Sequence, residues 1–233
     1  MVLILAHRGF SGMYPENTIL AFEKAFEIGA DGIELDVHAS KDGQLVIMHD
    51  NKVERTTNGK GLIGTMTWSE IQELDAGQGE HVPLLEDVIS LCKQHDKFLN
   101  IEVKGLGIQE KIVELLHKYD FIDNVLVSSF MHVQLPPFKK LDPRIKIAIL
   151  IAKVSPRILT STIAKFTGAD AINPEYTTCT DKFLKTARKK NYTVYPWTCD
   201  DVDFAKKLAL AGVAGIITNR PDLMIEAGIR DLH

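Results

Sequence analysis

The sequence predicts an α/β fold: a (β/α)8, or TIM, barrel with a small inserted subdomain after the second strand. Three observations point there. Short apolar runs alternate with longer amphipathic segments along the whole chain. Eight such runs in 233 residues give a repeat of about 29 residues, which suits one βα unit of a barrel this size. Several runs are rich in Ile and Val on both faces, as strands buried on both sides of a parallel sheet are.

Taken in order, the predicted strands are Val2–Ala6, Gly32–Val37, Phe98–Val103, Val125–Val127, Ile145–Ile151, Ala169–Ile172, Thr193–Tyr195 and Gly215–Ile217. Helical spacing lies between them. Thr18–Ile28 places Ile19, Leu20, Phe22 and Phe26 on one stripe. Leu84–His95 does so with Leu85, Val88, Ile89 and Cys92, and Glu110–Lys118 with Ile112, Val113, Leu115 and Leu116. Further helices are predicted over Met131–Lys140, Pro156–Phe166, Asp181–Lys190, Val202–Leu210 and Pro221–Ala227. Asn17 is placed to cap the first helix, and Pro156 and Pro221 suit first-turn positions. A doubly wound open sheet is the structural rival. It would more often show a Gly-rich fingerprint after the first strand, and His7-Arg8-Gly9 is not one.

One stretch breaks the rhythm. After Val37 comes a short strand-like piece, Leu45–Met48, then polar sequence over 51–64. Thr67-Trp68-Ser69-Glu70 follows as a capping-box start for a short helix to Leu74. The stretch between Val37 and Leu84 is read as an insertion lying over the barrel mouth, within a single domain spanning 1–233. Long loops in compact domains tend to be functional.

Composition excludes several classes. Lys and Arg number 27 against 31 Asp and Glu, a net charge of −4, with 45% hydrophobic residues. That is too apolar for a disordered chain and lacks the basic excess of a nucleic-acid binder. No apolar run approaches the roughly 20 residues of a membrane span, and Val2–Ala6 is too short for a signal peptide's apolar core. Cys92, Cys179 and Cys199 are odd in number and widely spaced, so neither a disulfide framework nor a zinc site is expected. A cytoplasmic protein is expected.

Reactive groups in a parallel barrel sit where strands end. The first strand ends in His7-Arg8, the second carries Glu34 and Asp36, and the third carries Glu102 and Lys104. Strand residues two apart share a face. Two like charges at 4 Å cost about 4 kcal/mol at an effective dielectric of 20, and a cation among three carboxylates removes that cost. All-oxygen ligands suit Mg²⁺ or Ca²⁺. The competing reading is carboxylates paired with Arg or Lys. His49-Asp50 closes the strand-like piece, and a pair of histidines, His7 and His49, can divide the work of general base and general acid. With Arg8 and Lys104 as phosphate-binding cations, the set suggests phosphoryl-ester cleavage.

The ordered motifs resemble one family. They are His7-Arg8-Gly9, Pro15-Glu16-Asn17-Thr18, Glu34-Leu35-Asp36-Val37, Asp42-Gly43, His49-Asp50, Thr57-Asn58-Gly59, Ile101-Glu102-Val103-Lys104, Ser129-Phe130 and Trp197-Thr198. Together they are similar to the glycerophosphodiester phosphodiesterases, from His7 to Pro221. The resemblance implies a TIM barrel with a small inserted subdomain, which here would be about 51–82. It also implies metal-dependent hydrolysis of glycerophosphodiesters to sn-glycerol 3-phosphate and an alcohol. It makes His7 and His49 the acid/base pair, Glu34, Asp36 and Glu102 the metal ligands, and Arg8 and Lys104 the phosphate contacts. Glu16 and Asn17 would organise the site, and Trp197 would wall the glycerol. Two departures stand out. Asn219 replaces an Asp common in the family, which weakens a role for that carboxylate, and Cys199-Asp200 stands where Val-Asn is common.

Other expectations are less directed. His38 is read as a polar neighbour of the site, Cys199 as a packed side chain, and Phe130 and Tyr176 as barrel packing. His81, His95, His117, His132 and His233 are read as solvated. A lysophospholipase D-type enzyme and a non-catalytic barrel binding protein are the alternative functions. The expected partner is a small-molecule substrate.

Overall fold

The computed structural model describes residues 1–152 and 157–232, so Pro156 and His233 lie outside the described residues. The strands are β1 (Leu3–His7), β2 (Gly32–Ala39), β3 (Leu45–Ile47), β4 (Phe98–Val103), β5 (Val125–Ser129), β6 (Lys146–Ile151), β7 (Ala171–Pro174), β8 (Thr193–Val194) and β9 (Gly215–Thr218). Among the described residues, eight of them pair in parallel in the order β8-β7-β6-β5-β4-β2-β1-β9, and β3 runs antiparallel on β2. The ring closes between β8 and β9 without a regular ladder. Instead Ala214 N donates to Val194 O, Ile217 N to Pro196 O, and Cys199 N to Ile217 O, each at 2.9–3.0 Å. Pro196 has no N–H to return, which explains the broken pattern.

Helices alternate with the strands: α1 (Ile19–Glu27), α2 (Trp68–Ile71), α3 (Leu85–Gln94), α4 (Gln109–Lys118), α5 (Pro136–Leu141), α6 (Arg157–Thr167), α7 (Asp181–Lys189), α8 (Val202–Leu210) and α9 (Pro221–Glu226). No helix among the described residues is long and apolar enough to cross a membrane. Two local expectations are corrected. Thr18, not Asn17, caps α1: its hydroxyl accepts from Ala21 N at 3.2 Å, while Asn17 sits in left-handed backbone at φ 58° and turns its amide elsewhere. The predicted helix over Met131–Lys140 is broken into a 3-10 turn at His132–Gln134 and α5, because Pro136 and Pro137 offer no N–H to a preceding turn.

Period two sorts the strand residues between lumen and shell. Toward the lower lumen, Leu5, Leu126, Ala148, Ala171, Tyr195 and Ile217 form one buried apolar cluster. Two residues further along the same strands, the inward positions turn polar: His7 follows Leu5, Ser128 follows Leu126, and Asn173 follows Ala171. The outward positions pack beneath the helices, where Ile33, Leu35, Leu99, Ile101 and Phe22 are fully buried. The segment between β2 and α3 holds a separate apolar cluster of Val46, Met48, Val53, Ile63, Ile71, Ala76 and Val82. Its capping box at Thr67 and Glu70 forms as the sequence predicts.

Candidate active site

Register alone brings the acidic side chains together. His7 on β1 lies beside Glu34 on β2, and Asp36 on β2 lies beside Glu102 on β4. Glu34, Asp36 and Glu102 are all buried, and each offers an oxygen within 4.8 Å of the others. Their ionisation differs. Glu34 is held well above the usual carboxylate range by burial and by the charges of Asp36 and Glu102. Glu102 is pushed up to about 7, by burial first and then Asp36. Burial also presses on Asp36, but Lys104 and Arg8 outweigh it and hold this carboxyl low.

The two cations sit among the acids. Lys104 Nζ is 2.5 Å from Glu102 Oε1 and 3.2 Å from Asp36 Oδ1, and Arg8 Nε is 3.3 Å from Asp36 Oδ2. Even so, Asp36 Oδ1 is buried with no hydrogen bond. Three clustered oxygen donors and a spare buried acceptor fit a hard divalent cation. The chain turn that presents Arg8 is tight. Arg8 and Gly9 both take left-handed backbone, at φ 56° and 78°, and a Cβ on Gly9 would meet Ala21 C at 2.7 Å.

The imidazoles have different surroundings. His7 Nδ1 lies 2.7 Å from Asn219 Oδ1, and its Nε2 is 3.8 Å from Glu34 Oε2. Burial and then the Arg8 charge pull His7 down to about 4, so its ring is neutral at pH 7. His49 Nδ1 is 2.6 Å from Asp50 Oδ1, and Asp50 Oδ2 accepts from Arg55 Nε at 2.6 Å. The Arg55 hydrogen bond is the main reason Asp50 stays far below the usual carboxylate range. Arg55 also grips Glu16 with two nitrogens at 2.8 and 2.9 Å. Glu16 accepts from Arg8 Nη1 at 2.9 Å, and Asn17 Nδ2 donates to Asp36 Oδ2 at 3.1 Å. A continuous polar chain therefore runs from His49 through Asp50, Arg55, Glu16 and Arg8 to Asp36.

His7, Arg8, Glu34, His49, Glu102 and Lys104 border one cavity of about 120 Å³. Trp197 closes it on one side, with its Nε1 donating to Asn173 O at 2.7 Å. The structure thus brings all ten sequence-predicted site residues to one end of the barrel, with Asp36, Glu16 and Asn17 reached through hydrogen bonds and ion pairs.

Several participants were missed. Phe130, expected to pack in the barrel, is 41% exposed, lines the cavity, and meets Trp197 edge to face at 5.4 Å. It falls one residue past the end of β5, where a side chain leaves the barrel wall for the mouth. Tyr176 does pack, against Phe204 and the buried cluster of Val2, Ile4 and Ile216. Asn100 lines the cavity two residues before Glu102, so period two alone could have found it. Asn219, where the resemblance leads one to expect an Asp, contacts His7. His38 Nε2 lies 3.1 Å from His49 O, as a polar neighbour would. His117 and His132 are not merely solvated: they contact Asp142 Oδ2 at 3.0 Å and Leu150 O at 2.8 Å. Cys199 is fully buried, and burial pushes its thiol up to about 12.

Comparison with known proteins adds an independent line. The family model described as the glycerophosphoryl diester phosphodiesterase family matches residues 7–223. A glycerophosphodiester phosphodiesterase of Caldanaerobacter subterraneus subsp. tengcongensis is 39% identical over 237 residues, covering 96% of each chain. A solved phosphodiesterase of Oleispira antarctica, in complex with the product sn-glycerol-3-phosphate, has a TM-score of 0.89 at 29% identity, covering 97% of this chain and 96% of its own. The glycerophosphodiester phosphodiesterase of Thermotoga maritima has a TM-score of 0.84 at 29% identity, covering 97% of this chain and 98% of its own. The matched span begins at His7, takes in each of these strand ends, and lies over a barrel of the same kind: the chain belongs to the glycerophosphoryl diester phosphodiesterase family.

Proposed function

We propose that this chain hydrolyses glycerophosphodiesters, such as glycerophosphocholine or glycerophosphoethanolamine, to sn-glycerol 3-phosphate and an alcohol. The observation that carries the reading is one cavity bordered by two imidazoles, two cations and the acidic cluster. The family match and the product complex of the Oleispira relative support it. Glu34, Asp36 and Glu102 would hold one divalent cation, Mg²⁺ or Ca²⁺. When bound, that cation supplies positive charge that offsets charge building on the phosphoryl oxygens.

The chain's own groups do the rest. Arg8 and Lys104 grip the phosphate, and Trp197 with Phe130 gives the glycerol an apolar wall. Glu16 holds Arg8, and Asn17 holds Asp36. One histidine takes the proton of the glycerol 2-hydroxyl, which attacks phosphorus, and the other protonates the departing alcohol. Water then opens the cyclic phosphate with the two roles exchanged. Direct attack by water is the rival route, and a substrate lacking the 2-hydroxyl separates them: turnover at an undiminished rate would exclude the cyclic route. The decisive assay for the function itself is glycerophosphocholine with and without EDTA. Glycerol 3-phosphate should form only without the chelator, and none in either arm leaves a non-catalytic barrel.

Residues 51–82 form an inserted subdomain of the single domain 1–233 on the same reading, supported by the separate apolar cluster in that segment. A cytoplasmic setting is supported by Cys92, Cys179 and Cys199, all buried and unpaired. A lysophospholipase D-type activity on the same barrel is the alternative reading. Release of choline from lysophosphatidylcholine faster than from glycerophosphocholine would select it.

A further inference from the structure

Asp200, in the segment after β8, and Asn219, just past β9, make a closed hydrogen-bond set that ends on His7. Asp200 Oδ1 accepts from the Thr218 hydroxyl at 2.7 Å and from Asn219 N at 2.8 Å, and its Oδ2 accepts from Asn219 Nδ2 at 2.8 Å. A carboxylate can only accept, so the amide NH2 of Asn219 must be the group facing Asp200. The reversed amide would set oxygen against oxygen. Asn219 Oδ1 is thereby forced toward His7 Nδ1, 2.7 Å away. The Ser11 hydroxyl lies 2.6 Å from His7 O and 3.0 Å from the same Oδ1, closing the set from the β1 side. The Thr198 hydroxyl is 3.5 Å from His7 Nδ1, too far to compete.

An amide oxygen also only accepts, so His7 Nδ1 must bring the hydrogen. In the neutral ring this leaves the lone pair on Nε2, the nitrogen 3.8 Å from Glu34 Oε2, and the ring and Glu34 both border the cavity. We propose that Asp200 and Asn219 are positioning residues that fix His7 as the Nδ1–H tautomer and aim its bare Nε2 at the reacting phosphate. Neither side chain is itself a catalytic residue. The pair acts through the ring, and it spans the place where β8, β9 and β1 meet. The inference rests on the proposed reaction only for its kinetic arm.

The test exchanges the two side chains. Asn219→Asp alone sets two carboxylates at a 2.8 Å contact and should cut kcat by about 10- to 100-fold, the range for groups that orient an active imidazole, with KM little changed. Asp200→Asn alone frees the amide to turn and should fall in the same range. The double exchange Asp200→Asn/Asn219→Asp restores a complementary pair, with the amide donating to a carboxylate that accepts from His7. It should recover at least about ten-fold over Asn219→Asp, the size of coupling expected between touching residues. A double variant no better than Asn219→Asp overturns the proposal.

A second measurement does not depend on turnover. The ¹⁵N shifts of the His7 ring in the wild-type chain should report Nδ1–H, and an Nε2–H ring overturns the proposal. His7→Ala keeps the two failures apart. If His7→Ala is fully active, the proposed role of His7 in the reaction fails, while the ring measurement still decides the tautomer.

Discussion

Glu102→Gln should lessen the loss of stability that the metal-free protein suffers as pH rises. Glu102 is buried, with Lys104 Nζ 2.5 Å from Oε1 and Asp36 beside it in register. Its carboxyl titrates at about 7 in the folded chain against 4.5 in the open chain. A group raised in this way contributes stability that is complete below 4.5 and lost as pH rises through 7. At about 1.4 kcal/mol per pH unit, the displacement amounts to about 3 kcal/mol between pH 4.5 and 8. Gln removes the titration and keeps the shape, and Lys104 retains Asp36 at 3.2 Å. The assay is urea unfolding in EDTA from pH 4.5 to 8.5 for both proteins. His7 contributes a slope of the opposite sign, because its ring, drawn down to about 4, gives stability that is present above 6.5 and lost toward 4. That slope is common to both proteins and cancels in the difference. Glu34, held up in part by the Glu102 charge, loses part of its own shift in the variant and changes the difference in the same direction. The variant should gain on the wild type as pH rises, by about 3 kcal/mol or more. A difference that stays flat across the range would refute the reasoning, since it would mean that Glu102 ionises in the fold as easily as in water.

Further outcomes follow from the same geometry. His7→Ala and His49→Ala should each lose at least about 100-fold in kcat, the lower range for general acid–base catalysis, in steady-state assays of glycerophosphocholine hydrolysis. Near-wild-type turnover by either would remove that residue from the chemistry. Mg²⁺ or Ca²⁺ at about 100 times its Kd should raise wild-type stability by about 2.7 kcal/mol and Glu102→Gln by less, read in the same urea titrations. If Glu102 ligates the cation as proposed, it must lose a proton to do so, and calorimetric affinity should be weaker at pH 6 than at pH 8. Arg55→Ala should cut kcat by about ten-fold through loss of the Asp50 and Glu16 contacts. Its melting temperature should barely move, since exposed ion pairs contribute about 1 kcal/mol or less.

Much of this was legible because it is periodic. Alternation at two residues placed Glu34, Asp36 and Glu102 on inward faces, and parallel pairing of successive strands made them neighbours. The chain ends of strands similarly located His7, Arg8 and Lys104. What the sequence concealed depends on turns and on partners far along the chain. Asn17 has a capping residue's chemistry, yet its left-handed backbone points its amide at Asp36 and leaves the cap to Thr18. Arg55 looks like a solvated charge in a polar loop, and its link to Glu16 spans 39 positions. Asn219 stands 212 positions from His7, so only the closed ring reveals the contact. Phe130 reads as core because aromatic residues past a strand usually are, whereas the mouth leaves it half in solvent.

The segment carrying His49, Asp50 and Arg55 is packed by its own small apolar cluster, and its ties to the barrel include polar ones: Arg55 to Glu16, and Glu80 Oε2 accepting from Leu20 N. Local opening free energies differ across a fold. With the smaller apolar cluster, this segment is expected to open before the barrel does, so activity should fall at a lower temperature than the far-UV circular dichroism of the barrel, and coincident transitions would count against it.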